Sequence, residues 1–351
     1  MKIVLTILAI IILLAAIIAG YFWYSMSKPL YQPGMVRDGV NLGAPLSPPE
    51  QSGDPDFWQV EEDIQLKHFS AGAGRNVLVI HGGPGYPYLQ AWPGLEGLAG
   101  QYRFHFYDQR GCGESTRPFQ TFDSKNYYEN MSNLDKTLGL GAQLADIERI
   151  RHILGEERLI LVGHSFGGFL ASLYAAEFPE HVAALVLIAP AETLVMPPPS
   201  GGLFAQVGER LPAEMQAEYE AFIAEYLSFG DIFSKSEDDL IALNQEFGQY
   251  YQAVFPADLP EQGRAGGWMV WAMYISMGQR HDYRPALAVV TAPALVIHGA
   301  DDLQSEDASR IYSQALPNAR FAIIQDATHF PFIEQPDEFG RLLADFLAGL
   351  Q

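Results

Sequence analysis

The sequence predicts an α/β fold: a mostly parallel, doubly wound sheet with helices on both faces, an inserted helical cap, and an N-terminal transmembrane segment in front. Three observations carry this. Short apolar runs alternate with helical patterns from about residue 57 to the end. The alternation stops between about Ala191 and Arg284, where only helical pieces rich in Met, Phe, Tyr and Trp occur. Ile3 to Ser27 contains no charged residue, and Ile3 to Gly20 is almost wholly aliphatic.

At a rise of about 1.5 Å per residue, that first run reaches across a hydrocarbon layer of roughly 30 Å. Tyr21, Phe22, Trp23 and Tyr24 follow it, an aromatic cluster suited to a headgroup interface. Residues 1–27 are therefore expected to anchor the chain. Lys2 and the amino terminus precede the span, which leans towards a cytoplasmic N-terminus and an extracytoplasmic body. The alternative is a cleaved signal peptide and a secreted or periplasmic product. That needs a shorter apolar region and a small-x-small site, for which Ile17-Ile18-Ala19 is a poor match. Residues 28–56, with Pro29, Pro33, Pro45, Pro48, Pro49 and Pro55, read as a Pro/Gly-rich tether.

Within the body, Val77–Ile80, Phe104–Tyr107, Leu159–Val162, Val182–Ile188, Ala294–Ile297 and Phe321–Ile324 are the expected strands. Leu144, Ile147, Ile150, Ile153 and Leu154 recur at helical spacing, and Gly155 stops that helix. Helices are also expected from about Phe169 to Phe178 and from Asp337 to Leu347. The core is thus assigned to 57–190 and 285–351, and the cap to 191–284. Pro197-Pro198-Pro199 and Gly201-Gly202 open the cap as a hinge-like junction.

Composition narrows the partners. Lys+Arg number 21 against 42 for Asp+Glu, a net charge of −21 that repels phosphate backbones, so nucleic acid is not an expected partner. The single cysteine, Cys112, excludes an internal disulfide and a Cys-based zinc cluster. No clustered ligands and no G-x-G-x-x-G after the first strand point to a metal or organic cofactor.

Gly163-His164-Ser165-Phe166-Gly167 lies between a strand and a helix. A nucleophilic serine at that junction occupies a tight, strained turn, and the flanking glycines let the backbone pack closely enough to expose its hydroxyl. Ser165 is the expected nucleophile. A serine needs a base, and the base a carboxylate, in the chain order Ser, acid, His. His329 follows the last strand and is the expected base. His298 reads as a neighbour of the acid loop, and His181 and His281 as ordinary histidines. The acid is Asp301 or Asp302, directly after Ile297-His298-Gly299-Ala300. The fold's usual G-x-x-D loop puts the carboxylate three residues after the glycine and selects Asp302. His81-Gly82-Gly83-Pro84-Gly85 supplies amides that can approach an oxyanion, so Gly83 N–H and Phe166 N–H are the expected donors. His81 reads as a hydrogen-bonding member of that loop.

These strings, with Asp108-Gln-Arg-Gly-Cys-Gly-Glu-Ser115, resemble the proline iminopeptidase branch of the α/β-hydrolases, peptidase family S33. The resemblance covers about residues 57–190 and 285–350. It implies an α/β-hydrolase fold and an aminopeptidase acting through an acyl-enzyme on a small-molecule or short-peptide substrate. Family members bind the substrate's amino group with cap glutamates. Glu246, beside Phe247, Tyr250 and Tyr251, and Glu237 are the possible counterparts. The elbow departs from the branch's G-G-S-W-G and is closer to tricorn-interacting aminopeptidases and general esterases. Two alternatives follow: a membrane-anchored carboxylesterase or acylglycerol lipase, and a non-catalytic binding module on the same fold.

Overall fold

A computed structural model describes residues 12–14, 17, 20, 27–255 and 259–350. The expected anchor over residues 1–27 lies almost wholly outside them. Among the described residues no helix is long and apolar enough to cross a membrane.

Eight strands form one sheet: β1 (Phe57–Glu61), β2 (Ile64–Gly72), β3 (Arg75–Ile80), β4 (Tyr102–Tyr107), β5 (Leu159–His164), β6 (Val182–Ile188), β7 (Ala294–Gly299) and β8 (Ala319–Ile324). Their spatial order is β1-β2-β4-β3-β5-β6-β7-β8. From β4 to β8 every pairing is parallel, while β1 and β2 join antiparallel. The six apolar runs all become strands. The first five are buried at nearly every residue, which is why they read as continuous apolar stretches, whereas Phe321, Ala322 and Ile323 of the last stay half-buried at the sheet edge. Val77 and Val79 enter one core layer, Leu78 and Ile80 the other. The sequence reading missed β1 and β2, whose polar residues Gln59, Lys67 and Ser70 alternate with apolar ones. A strand with one wet face carries no continuous run to find.

The core helices are α1 (Tyr127–Leu138), α2 (Leu140–Leu154) and α3 (Phe166–Glu177). Gly155, at φ 68°, closes α2 with its N–H on Arg151 and His152 carbonyls, a left-handed stop that suits glycine. The inserted cap holds α4 (Gly202–Arg210), α5 (Ala213–Tyr226), α6 (Glu237–Val254) and α7 (Trp268–Met277). Then follow α8 (Glu306–Ala315), the short α9 (Pro331–Glu334) and α10 (Pro336–Ala348). Contrary to the reading of the cap as strand-free, Val195–Met196 pairs antiparallel with His281–Asp282 where the chain enters and leaves it.

The expected tether does lack helix and sheet strand, yet its first half is not a loose linker. Tyr31 and Val36 are buried. Leu30 and Tyr31 N–H groups donate to Ser276 O, and the Tyr31 hydroxyl donates to Glu177 at 2.7 Å. Arg149 donates to the carbonyls of Ala44 and Pro45, each at 2.9 Å. Proline and glycine here shape a strap that lies against the body, because its few apolar side chains find slots there.

Register sets the site. Ile80 lies opposite Gly163, His164 opposite Ile188, Ile188 opposite Ile297, and Ile324 opposite Gly299. The carboxyl ends of β3, β5, β6, β7 and β8 therefore share one edge, and the loops that leave them converge beneath the cap.

Candidate active site

Ser165 sits between β5 and α3 at φ 53°, ψ −122°, a conformation that costs an ordinary residue energy. Its backbone is held there from several sides. Its N–H donates to Ile188 O at 2.9 Å, and its carbonyl accepts from Gly168 N at 2.9 Å and Ala191 N at 3.0 Å. The flanking glycines are steric necessities. A Cβ on Gly163 would come within 2.4 Å of Gly167 O, and one on Gly167 within 2.1 Å of Ile80 O.

The loop after β3 runs beside this turn: a Cβ on Gly82 would meet Ser165 Cβ at 2.7 Å. Gly83 walls the same pocket as Ser165. Phe166 opens α3, so its N–H has no acceptor within the helix, and its side chain is buried. His81 is a structural bridge. Its Nε2 accepts from Gln109 N at 3.1 Å, its Nδ1 faces Gly82 O at 2.9 Å, and burial lowers its pKa to about 4.

His329, after β8, and Asp302, after β7, meet: Nδ1 lies 2.9 Å from Asp302 Oδ2. A carboxylate oxygen accepts from a ring N–H, so the Nδ1 hydrogen points at Asp302 and Nε2 is the other ring nitrogen, outside this contact. Asp302 Oδ1 accepts the Gln304 N–H at 3.0 Å. The Gln304 amide nitrogen stands 3.4 Å from His329 Nδ1, and two donors facing each other make no bond. Asp301 is exposed, with its N–H on Ala327 O, and takes no part in this pairing. His298 bonds Ser309 at 3.0 Å beside the acid loop, and His281 ties the carbonyls of Met277 and Thr193 at the cap's base.

Ser165 and His329 line one pocket with Gly82, Gly83, Tyr86, Tyr88 and His164 from the core. Leu203, Phe247, Gly248, Tyr251, Leu259, Gln262 and Phe330 complete it. The cap helix turns Phe247 and Tyr251, four apart, onto this face. Glu246 is one residue, about 100°, out of phase. It is exposed and lines a separate groove with Met215, Glu218 and Gln249, so the expected role of Glu246 in this pocket is corrected by helix phase. Tyr250 shares its face and packs on Tyr219 and Phe222. Glu237 is buried at the start of α6, paired with Arg117 and accepting the Trp268 N–H at 2.6 Å. No carboxylate lines the pocket among the described residues.

The Asp108–Ser115 string buttresses the site from behind. Arg110 is fully buried and pairs with Asp146 at 2.5 Å and Glu61 at 2.7 Å, while Arg149 joins the same two carboxylates. Gly113 N–H reaches Arg264 O of the cap at 2.8 Å, and Gly266 N–H reaches Gly85 O at 2.8 Å. Sequence reasoning missed His164, Tyr86 and Tyr88. The first two offered a signal, since each lies inside or against a motif already singled out.

A family model described as alpha/beta hydrolase fold matches residues 75–336. The proline iminopeptidase of Lactobacillus delbrueckii subsp. bulgaricus is 27% identical over 285 residues, spanning 77% of this chain and 89% of that protein. That of Heyndrickxia coagulans is 27% identical over 301 residues, 79% and 91% of the two chains. A thermophilic esterase from Thermogutta terrifontis superposes with TM-score 0.53 at 22% identity, over 82% of this chain and 94% of the other. A proline iminopeptidase of Mycobacterium smegmatis gives TM-score 0.52 at 20% identity, over 82% and 96%. At those identities the likeness to solved structures speaks for the fold.

Proposed function

Because this chain belongs to the alpha/beta hydrolase family, we propose that it is a serine hydrolase working through an acyl-enzyme, as an aminopeptidase of proline iminopeptidase type. One observation supports the chemistry above the rest: Ser165, forced to positive φ beside Gly82, shares its pocket with a His329 whose Nδ1 hydrogen points at Asp302. In this reading Ser165 Oγ attacks the scissile carbonyl while its proton passes to His329 Nε2. The tetrahedral oxyanion is held by Gly83 N–H and Phe166 N–H. Collapse breaks the bond to the leaving amine, which takes the proton from His329. Water then gives a proton to His329, attacks the acyl-serine, and regenerates Ser165 as the acid departs.

The kinship to proline iminopeptidases supports the peptidase reading. The pocket favours a second one, a carboxylesterase or acylglycerol lipase. An ammonium entering among Leu203, Phe247, Tyr251, Leu259 and Phe330 loses hydration with no described carboxylate to replace it, whereas an uncharged acyl chain loses little. Proline β-naphthylamide and p-nitrophenyl esters, assayed side by side, decide between them. Ser165→Ala is expected to leave less than about a hundredth of the activity on either, because the triad acts as a unit. A fluorophosphonate probe should label wild type and not Ser165→Ala. Failure to label folded protein supports a binding module instead.

Residues 1–27 are proposed to hold the body at a membrane on its extracytoplasmic side, supported by the uncharged run from Ile3 to Ser27. Full-length protein should remain in the membrane fraction after carbonate washing, and a chain beginning at Ser27 should not. A washed-out protein with an intact N-terminus sinks the anchor; a shortened one indicates cleavage.

A further inference from the structure

His164 ends β5, one residue before Ser165, and is buried. Both of its ring nitrogens are engaged. Nε2 lies 2.7 Å from the main-chain carbonyl of His329, and Nδ1 lies 2.6 Å from the Tyr88 hydroxyl. A carbonyl oxygen can only accept, so Nε2 carries the hydrogen. Nδ1 is then bare and accepts from the phenol. The hydroxyl has one hydrogen, and this bond uses it. Burial, reinforced by the neighbouring His329, holds the His164 imidazolium far below the usual histidine range, and burial keeps the Tyr88 phenol protonated. The ring is thus neutral and fixed in one tautomer.

We propose that His164 is a positioning residue for His329, with Tyr88 as the group that fixes its tautomer; this rests on the acyl-enzyme reading of Ser165 and His329. The base is restrained at two points. Asp302 holds its ring through Nδ1, and His164 holds its main chain through the carbonyl. The two imidazoles stand 4.7 Å apart, and Phe330 and Phe332 close against His164 with ring centres at 5.0 Å each. The strut therefore has little room to tilt. It also joins the residue before the nucleophile to the base itself, so the two reacting groups share one frame. Tyr88 extends that frame to the cap: its backbone bridges to Gln262, and the Gly263 N–H donates to Pro87 O at 2.9 Å. A shift of the cap segment is transmitted to the base through two hydrogen bonds.

The test uses the full-length protein, p-nitrophenyl acetate as probe substrate, and urea unfolding of each variant to establish the folded fraction by which kcat is normalised. His164→Leu fills the ring's space but gives the His329 carbonyl no donor. It should lower kcat per folded site about 100-fold while KM stays within about threefold, since leucine keeps an uncharged side chain of similar size at this part of the pocket wall and what is lost is orientation. His164→Gln, whose amide nitrogen reaches the Nε2 position, should recover at least tenfold of that loss. Tyr88→Phe deletes one hydroxyl and releases the tautomer, and should cost about five- to tenfold in kcat. The proposal is overturned if His164→Leu keeps kcat within threefold per folded site, if the loss falls on KM alone, or if His164→Gln is no better than His164→Leu. Should His164→Leu fail to fold, Tyr88→Phe decides, and an unchanged kcat there overturns it. Turnover by Ser165→Ala would instead overturn the acyl-enzyme reading. Wild-type-like His164 variants beside an inert Ser165→Ala discard only the strut.

Discussion

At the scale of single residues, the site depends on backbone that tolerates no side chain. Gly82 is the sharpest case: an added Cβ would meet Ser165 Cβ at 2.7 Å and His164 O at 2.9 Å. Neither is the far end of a flexible side chain, so one of the two loops has to move. Gly82→Ala is expected to lower kcat/KM at least about 100-fold, with a loss of roughly 1–3 kcal/mol in stability from overpacking. Steady-state rates normalised to labelled sites, together with urea unfolding, check both parts. That Ser165, Asp302 and His329 would meet at one edge of the sheet was legible because each follows an apolar strand run and belongs to a recognisable string. Glu246 was misplaced because a helix turns about 100° per residue, and the phase of α6 is set by what packs beneath it. Phe247 and Tyr251 alternate with Glu246 and Tyr250 along the chain, and both pairs offer an aromatic. Composition alone does not say which pair faces the serine.

At the scale of elements, the strap over residues 27–46 shows how far burial departs from local pattern. Its prolines gave the right absence of helix and the wrong expectation of looseness. Glu177, buried at the end of α3, accepts from Tyr31 Oη at 2.7 Å, Gly34 N at 2.8 Å and Arg37 N at 3.1 Å. All three donors come from the strap. Glu177→Ala should therefore lower stability by about 2–4 kcal/mol and leave the active-site count unchanged, measured by denaturant unfolding and probe labelling. An effect below about 0.5 kcal/mol would mean that the strap is held by its apolar contacts alone. The sheet divides in the same way. The two-sided strands announced themselves, whereas β1 and β2 did not. Their polar face is wet, and their partners are chosen by the antiparallel edge that closes on β4.

At the scale of the whole molecule, charge and burial pull on pH dependence in opposite directions. His68, His81 and His105 all have their pKa lowered to about 4 by burial. The unfolded chain takes up these protons near the ordinary histidine value of about 6.5, and the fold refuses them until about 4. Their contribution is complete above 6.5 and is lost as pH falls towards 4. Asp108, whose pKa burial raises to about 6, runs the other way, since the fold keeps its proton more tightly than the unfolded chain does. The net charge of −21 also relaxes on acidification. The clean measurement is thus a difference between variants. His68→Phe, which preserves the stack on Trp58, should narrow the fall in Tm between pH 7 and pH 5 by a few degrees relative to wild type. A wider fall would refute the sign. The overall architecture was readable because one rhythm runs through the core and breaks once, at the cap. The small ribbon at that break, Val195–Met196 against His281–Asp282, brings the cap's two ends side by side. Residues 197–280 are therefore a closed excursion from the chain: a recombination event could exchange them as one cassette, re-aiming the enzyme at new substrates, provided the replacement keeps the bridges to Pro87 and Tyr88 through which the cap bears on His329.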